Sequence, residues 1–204
     1  MKYLKMIGLA AIAAAALTAF LGAGTASATV LCETNVTSGC GTAWDVNSGT
    51  PLTFSAEGST TLTGPFGEVI ATCTGSTVAG NTTSAGGAGT VTGNITSLSF
   101  TGCNRPVEVN TATTGTLEVH SIAGKDNGTV TSNDTTVSIT EIPFFGTCRF
   151  LTNNTDIGTL TGSLSEPTFD IAATIPSETS FCPSGTWEGS YRYTGTTKFI
   201  VGAS

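Results

Sequence analysis

The sequence predicts an all-β protein, and three observations lead to that prediction. The β-branched residues Thr, Val and Ile recur along the chain with a period of two, which is typical of strands with one face in water. Beyond the first 28 residues we find no 11-residue window with apolar residues at helical spacing. Turn signals rich in Gly, Asn and Pro separate the apolar runs. Roughly ten or more short strands at this spacing predict a two-sheet β-sandwich or jelly roll.

The first 28 residues have the layout of a secretory signal peptide. Lys2 and Lys5 precede an apolar stretch, and the segment ends on the small residues Ala26 and Ala28. The apolar stretch is shorter than the roughly 20 residues that a membrane-spanning helix needs. We therefore expect cleavage after Ala28 (signal peptide 1-28) and a single mature domain (29-204). The product would be secreted and extracellular, with no integral membrane association.

The charge balance narrows the expected partners. Loss of the two lysines in the leader leaves five basic residues against fourteen acidic ones. Polyanions repel so acidic a chain, and we therefore expect no nucleic acid and no anionic membrane surface among its partners.

All six cysteines lie in the mature region, and an even number in an exported chain predicts three disulfides. A short polar segment separates the first two cysteines and can fold back on itself. A partial match between residues 89–100 and 158–169 suggests two duplicated units, each closed by its own bridge, although shared composition also explains the match. The pairs predicted from these arguments are Cys32 with Cys40, Cys73 with Cys103, and Cys148 with Cys182.

Each strand is predicted from local alternation between apolar and polar side chains. Leu98 and Phe100 alternate with serines, and Leu117 and Val119 alternate with polar residues that include His120. The glycine-rich residues 80–89 predict a long loop inside the domain rather than a domain boundary. The predicted strands are 52–56, 68–73, 90–96, 97–100, 106–109, 117–120, 137–140, 148–151, 158–163, 169–172, 186–193 and 198–201.

Candidate catalytic chemistry is sparse. His120 is the only histidine, so His-rich zinc sites are excluded and at most one Ser-His-Asp or Cys-His pairing is left. The alternation places His120 beside Glu118 on the solvent-exposed face of the strand, which favours a surface histidine over a catalytic one. We therefore assign no catalytic residue, no metal ligand and no cofactor. The one enzymatic activity that the sequence leaves open is glycoside hydrolysis, because its catalytic groups are two carboxylates and the chain has fourteen acidic residues.

An aromatic stripe lies near the C-terminus. Trp187, Tyr191 and Tyr193 fall on one strand face, and Glu188 and Arg192 fall on the other. Such a stripe can stack against sugars as a platform, or it can fill the core. We favour the core, because the chain has few other large apolar side chains.

Several motifs together resemble a known group of proteins. They are Cys32 and Cys40 near the mature N-terminus, the strand that ends at Cys73, the segment 93–103, and Phe181-Cys182-Pro183 leading to the aromatic stripe. The pattern resembles a group of uncharacterised secreted, cysteine-containing β-rich proteins of high-GC Gram-positive bacteria. This resemblance implies an exported β domain held by disulfides, and it carries no activity over to this chain.

Together these arguments predict a secreted, non-enzymatic β-sandwich that serves as an extracellular or envelope-associated binding or structural module. Its ligand would be a polysaccharide or a protein surface. The alternative function is a carbohydrate-active hydrolase that uses a pair of carboxylates.

Overall fold

The computed structural model describes residues 28–33, 45–84, 89–112 and 114–203. The predicted signal peptide, apart from Ala28, lies outside the described residues. The all-β class is confirmed in the described ranges, which contain no helix able to cross a membrane. The strands are β1 (Thr29–Cys32), β2 (Pro51–Ala56), β3 (Thr60–Thr63), β4 (Val69–Thr82), β5 (Val91–Cys103), β6 (Val107–Val109), β7 (Thr116–Ser121), β8 (Asn127–Asn133), β9 (Thr136–Ile142), β10 (Gly146–Leu151), β11 (Thr155–Thr161), β12 (Thr168–Ile175), β13 (Gly185–Tyr193) and β14 (Ile200–Ala203).

Eight strand positions form one closed antiparallel sheet. β4, β5, β7, β8, β11, β12 and β13 follow one another around the ring in chain order, each paired with the next. The eighth position is shared by β2 and β3, which both pair with β4 on one side and with β13 on the other. The chain breaks away from the sheet between them at residues 57–59, and the two pieces together close the barrel.

This arrangement differs from the predicted two-sheet sandwich or jelly roll. In a sandwich the strands divide between two sheets whose apolar faces stack. Here consecutive strands around the ring are hydrogen-bonded and the last meets the first, so the apolar faces meet across a single interior. Local alternation is the same in both architectures, which is why the sequence pattern did not distinguish them.

Two small sheets cover the ends of the barrel. β1 and β14 pair at one end, where they contact β5, β7, β8 and β11. At the other end β6, β9 and β10 form a three-stranded sheet. β6 leaves the ring between β5 and β7, and the β9–β10 hairpin leaves it between β8 and β11.

Two large apolar clusters, and a small one between β1 and β14, fill the described part of the molecule. The larger one occupies the barrel and the β1–β14 end, where Tyr193 packs against Phe54 and, edge to face, against Phe199, with ring centroids 5.3 and 5.4 Å apart. The second one joins the barrel to the three-stranded sheet, with Leu62 on β3 and Ile139 on β9 among its buried members. Because this cluster contains buried side chains from both the barrel and the three-stranded sheet, it holds the sheet against the barrel.

Two disulfides are described, and both have the predicted partners. Cys73 and Cys103 lie directly opposite each other on β4 and β5, and the Cys148–Cys182 bridge ties β10 to the segment before β13. The third expected bridge, Cys32 with Cys40, involves a residue outside the described part of the chain. Disulfides indicate that the protein folds in an oxidising compartment.

The suggested duplication has no counterpart in the described strands. Nearly all of residues 89–100 belongs to the single strand β5, whereas residues 158–169 span the end of β11, a turn and the start of β12. The two disulfides also differ, since one joins neighbouring strands of the ring and the other joins the small sheet to a loop. The match between the two segments therefore reflects shared composition.

The predicted loop over residues 80–89 is partly wrong. β4 continues past its predicted end at Cys73 to Thr82, so the start of that segment is strand. Gly80 lies at a register shift between β4 and β5, where a Cβ atom would collide with the carbonyl oxygen of Asn94. Glycine at this position permits the two backbones to approach closely. In the sequence, Gly80 was one of the glycines that predicted a loop.

Candidate functional site

The barrel encloses an apolar cavity of about 110 Å³. It lies toward the end that the three-stranded sheet covers, and residues from both sheets line it. Trp187 and Tyr191 on β13 face it from one side, and Leu98 and Phe100 on β5 face it from another. Of the described residues that line the cavity, none is charged.

Strand alternation explains why these side chains point inward. On β13, Trp187, Gly189 and Tyr191 alternate with exposed polar residues, so every second side chain enters the barrel. β12 behaves in the same way and contributes Phe169 and Ile171. The indole of Trp187 packs edge to face against Phe100, with ring centroids 5.0 Å apart.

One wall of the cavity comes from the three-stranded sheet rather than from the ring. Val137 and Ile139 on β9 and Phe150 on β10 line this wall. β5 pairs with β7 only through Val91–Asn94, and the described residues show no strand pairing along that edge for residues 97–103. The wall there is formed by apolar packing without a hydrogen-bonded ladder.

The few hydroxyl groups at the cavity wall are already hydrogen-bonded to the protein. The Ser132 hydroxyl lies 3.1 Å from that of Thr135 and 2.9 Å from that of Thr152. Thr152 also accepts the backbone N–H of Thr135, at 3.0 Å. Tyr191 donates to the Ser76 hydroxyl at 3.1 Å. A ligand would therefore meet an apolar surface with little unused polar capacity.

A second apolar chamber of about 70 Å³ continues toward the β1–β14 end. Val78, Ile95, Leu117 and Phe169 line both chambers, so the two adjoin inside one barrel. The space is therefore elongated along the barrel.

Burial also changes the acidity of two tyrosines. It raises the pKa of the Tyr191 phenol, and hydrogen bonds with Ser76 and Trp187 oppose that shift. Burial likewise raises the pKa of Tyr193, opposed by the backbone of Thr197. Both phenols therefore stay neutral near pH 7.

The structure places the predicted aromatic stripe inside the barrel. Tyr191 and Tyr193 are 1% and 2% exposed, in keeping with the favoured core interpretation, and Trp187 is half-buried at the cavity wall. A sugar could reach such rings only from the interior. His120 lies on the exposed face beside Glu118, with 3.8 Å between its Nε2 and the carboxylate.

A groove on the outer surface lies beside the break between β2 and β3, and three acidic side chains line it. Glu57, Asp170 and Glu188 line it together with hydroxyl-bearing and small residues. Asp170 and Glu188 lie diagonally opposite on the outward faces of β12 and β13. Among the described residues, no group of three or more His, Cys, Asp or Glu side chains is placed to hold a metal ion.

Comparison with known proteins leaves the chain without a match. No protein-family model, curated protein or solved structure matches it. The resemblance to secreted proteins of high-GC Gram-positive bacteria therefore stays a prediction.

Sequence reasoning identified the aromatic stripe but not the cavity that it lines. Leu98, Phe100 and Leu117 were assigned to strands with one apolar face, and that alternation is the only local signal of an interior position. The cavity arises from closure of the sheet and from the approach of β9 and β10. Neither event leaves a local pattern in the sequence.

Proposed function

We propose that this protein is a secreted, non-enzymatic binding module that holds a small apolar molecule, or the apolar end of a larger one, inside its barrel. The observation that carries the proposal is the uncharged cavity of about 110 Å³ between β5, β12, β13 and the three-stranded sheet. Sites for small molecules are typically concave, mostly apolar and largely formed in advance.

The size and lining of the cavity support a small ligand. An apolar cavity of about 150 Å³ engineered into another protein stays dry and binds benzene. The present cavity is of that order, and the adjoining chamber gives an elongated molecule further room. Because the wall hydroxyls bond to one another, a polar ligand would lose its hydration without gaining partners.

Export is part of the proposal. The N-terminal Lys2, Lys5 and apolar stretch have the layout of a secretory leader, and the disulfides fit an oxidising compartment outside the cytoplasm. The intact mass of the protein recovered from culture medium tests this. We expect a chain that begins at Thr29, and a chain that still carries Lys2 and Lys5 would contradict it.

The carbohydrate-active hydrolase is the second candidate. The outer groove favours it, because Asp170 and Glu188 occupy diagonal positions on neighbouring strands. The aromatic rings that would stack against a sugar lie on the opposite face of β13, inside the barrel. Glycosidase activity in the wild-type protein, lost in each of the single variants Asp170→Asn and Glu188→Gln, would favour this candidate.

Thermal unfolding in the presence of benzene tests the binding proposal. A ligand that binds only the folded state raises the midpoint in proportion to its occupancy. We expect benzene to raise the unfolding temperature, and phenol, of similar size but polar, to raise it less at equal concentration. An unchanged midpoint with saturating benzene would contradict the proposal.

A further inference from the structure

Exposed aromatic side chains gather at one end of the barrel. Of the exposed large apolar side chains in the described part of the chain, four lie where the three-stranded sheet covers the ring. We call this surface the phenylalanine end; its residues are Phe66, Val69, Phe144 and Phe181. The fifth, Leu164, lies in the turn between β11 and β12, next to β14 at the opposite end.

Both hairpins at this end carry a Pro-Phe pair at the tip. Phe66 follows Pro65 in the β3–β4 turn, and Phe144 follows Pro143 in the β9–β10 turn. The two rings are 95% and 102% exposed, so they project from the protein. Full exposure of two phenylalanines is costly in water and favours a partner that covers them.

The backbone at Phe144 adopts a conformation that favours glycine. The turn closes with a hydrogen bond from Phe145 N–H to the Ile142 carbonyl, at 3.1 Å, which places Phe144 at its third position. Its φ angle is 67°, as a type II turn requires, and glycine or asparagine normally occupies that position. The fold therefore keeps a bulky ring outward at a strained site, which points to a function for the ring.

The two hairpins and the third ring are held together at their bases. Arg105 donates to the carbonyl oxygen of Ile70 next to the first hairpin, and its Nε donates to that of Glu141 in the second, at 3.3 Å. The Cys148–Cys182 bridge fixes the loop that carries Phe181 to β10. Hydrogen bonds and a disulfide thus join the three segments that carry the rings.

Charge at this end selects among possible partners. The Glu68 carboxylate accepts the N–H of Phe66 at 3.1 Å, and Glu178 pairs with Arg149 at 2.9 Å. Lys125, Arg192 and Lys198 lie toward the opposite end, near β14 and the turns beside it. Of the described basic residues at this end, Arg105 donates to backbone carbonyls and Arg149 pairs with Glu178, so we find no cluster of unpaired basic groups there to attract anionic headgroups. The chain as a whole carries a net charge of -7.

We propose that the phenylalanine end docks on a lipid surface without net negative charge, inserting Phe66 and Phe144 among the lipid chains. Projecting rings on separate hairpin tips suit a fluid layer, which closes around each ring, whereas a protein partner would need separate matching pockets. The larger cavity lies behind the same end, so docking would bring it close to a source of apolar molecules. The inference goes beyond the proposed ligand binding and does not depend on it.

Co-sedimentation with phosphatidylcholine vesicles tests the docking. We expect the wild-type protein to bind, and the double variant Phe66→Ser/Phe144→Ser to lose on the order of a hundredfold in partition coefficient, because each buried ring contributes on the order of tenfold. Leu164→Ser is the matched control, since it removes an exposed apolar side chain from the opposite end, and it should bind like wild type. Unfolding midpoints of all three proteins establish that they are folded.

Three outcomes of the vesicle experiment would overturn the docking proposal. They are absence of wild-type binding, equal binding by the double variant, and stronger binding when phosphatidylserine replaces part of the phosphatidylcholine. Sedimentation velocity separates a protein partner from lipid, since a wild-type dimer that the double variant lacks would assign the rings to a second copy. Benzene should raise the unfolding temperature of the double variant as much as that of the wild type. Loss of lipid docking is thereby distinguished from loss of ligand binding in the cavity.

Discussion

Tyr191 donates a hydrogen bond to Ser76 with 3.1 Å between the oxygens, and both side chains are buried. The two residues belong to β13 and β4, which flank the shared position of β2 and β3. Ala56, the last residue of β2, lies opposite Tyr191, and its small side chain leaves room for the phenol to cross. The bond thus joins β13 to β4 across the end of β2, where the chain breaks away from the sheet.

The substitution Tyr191→Phe should lower the free energy of unfolding by about 1 to 2 kcal/mol, because it leaves the Ser76 hydroxyl buried without that partner. Urea denaturation of Tyr191→Phe, Ser76→Ala and the double variant measures the effect. We expect a coupling free energy of about 1 kcal/mol between the two sites. A double variant whose loss equals the sum of the single losses would contradict a direct interaction.

The free energy of unfolding should fall as the pH rises above about 10, the ordinary pKa of tyrosine. Burial raises the pKa of both Tyr191 and Tyr193 in the folded state, so the unfolded chain loses these protons first. Stability is therefore at its full value below pH 10 and decreases above it. Urea midpoints measured between pH 8 and 11 check this, and Tyr191→Phe should show a smaller decrease than wild type.

Phe144→Asn should raise the free energy of unfolding by about 1 kcal/mol, because asparagine tolerates the positive φ of 67° that strains phenylalanine. The matched control is Phe66→Asn, which removes an equally exposed ring from a turn position that lacks a positive φ. The control should leave stability nearly unchanged. Equal effects in the two variants would show that ring exposure, not backbone strain, determines the difference.

The sequence was sufficient for features that depend on local alternation or on short separations along the chain. It predicted the all-β class, most of the strands, the inward direction of Tyr191, and the Cys73–Cys103 and Cys148–Cys182 pairs. Closure of the sheet was not predictable, because the pairing of β13 with β2 and β3 joins distant parts of the chain. Gly80 was read as a loop residue, since nothing local reveals the carbonyl of Asn94 against which it packs.

The sequence likewise predicted only part of the candidate site. Trp187 and Tyr191 were recognised as a shared face, and the opposing walls from Leu98, Val137 and Phe150 were not, because they are brought together by the approach of β5 to the three-stranded sheet. The phenylalanine end was missed for a different reason. Phe66 and Phe144 lie far apart in sequence, and their turns are adjacent only through Arg105 and the second apolar cluster.

Calorimetric titration of benzene into three proteins tests the central claim, that the barrel interior binds an apolar molecule. Leu98→Trp fills the cavity from β5, and Ser99→Trp adds the same side chain to the exposed face of that strand. We expect wild type and Ser99→Trp to bind benzene with the same affinity, and folded Leu98→Trp to show no binding. Equal binding by all three proteins, or no binding by wild type, would contradict the account.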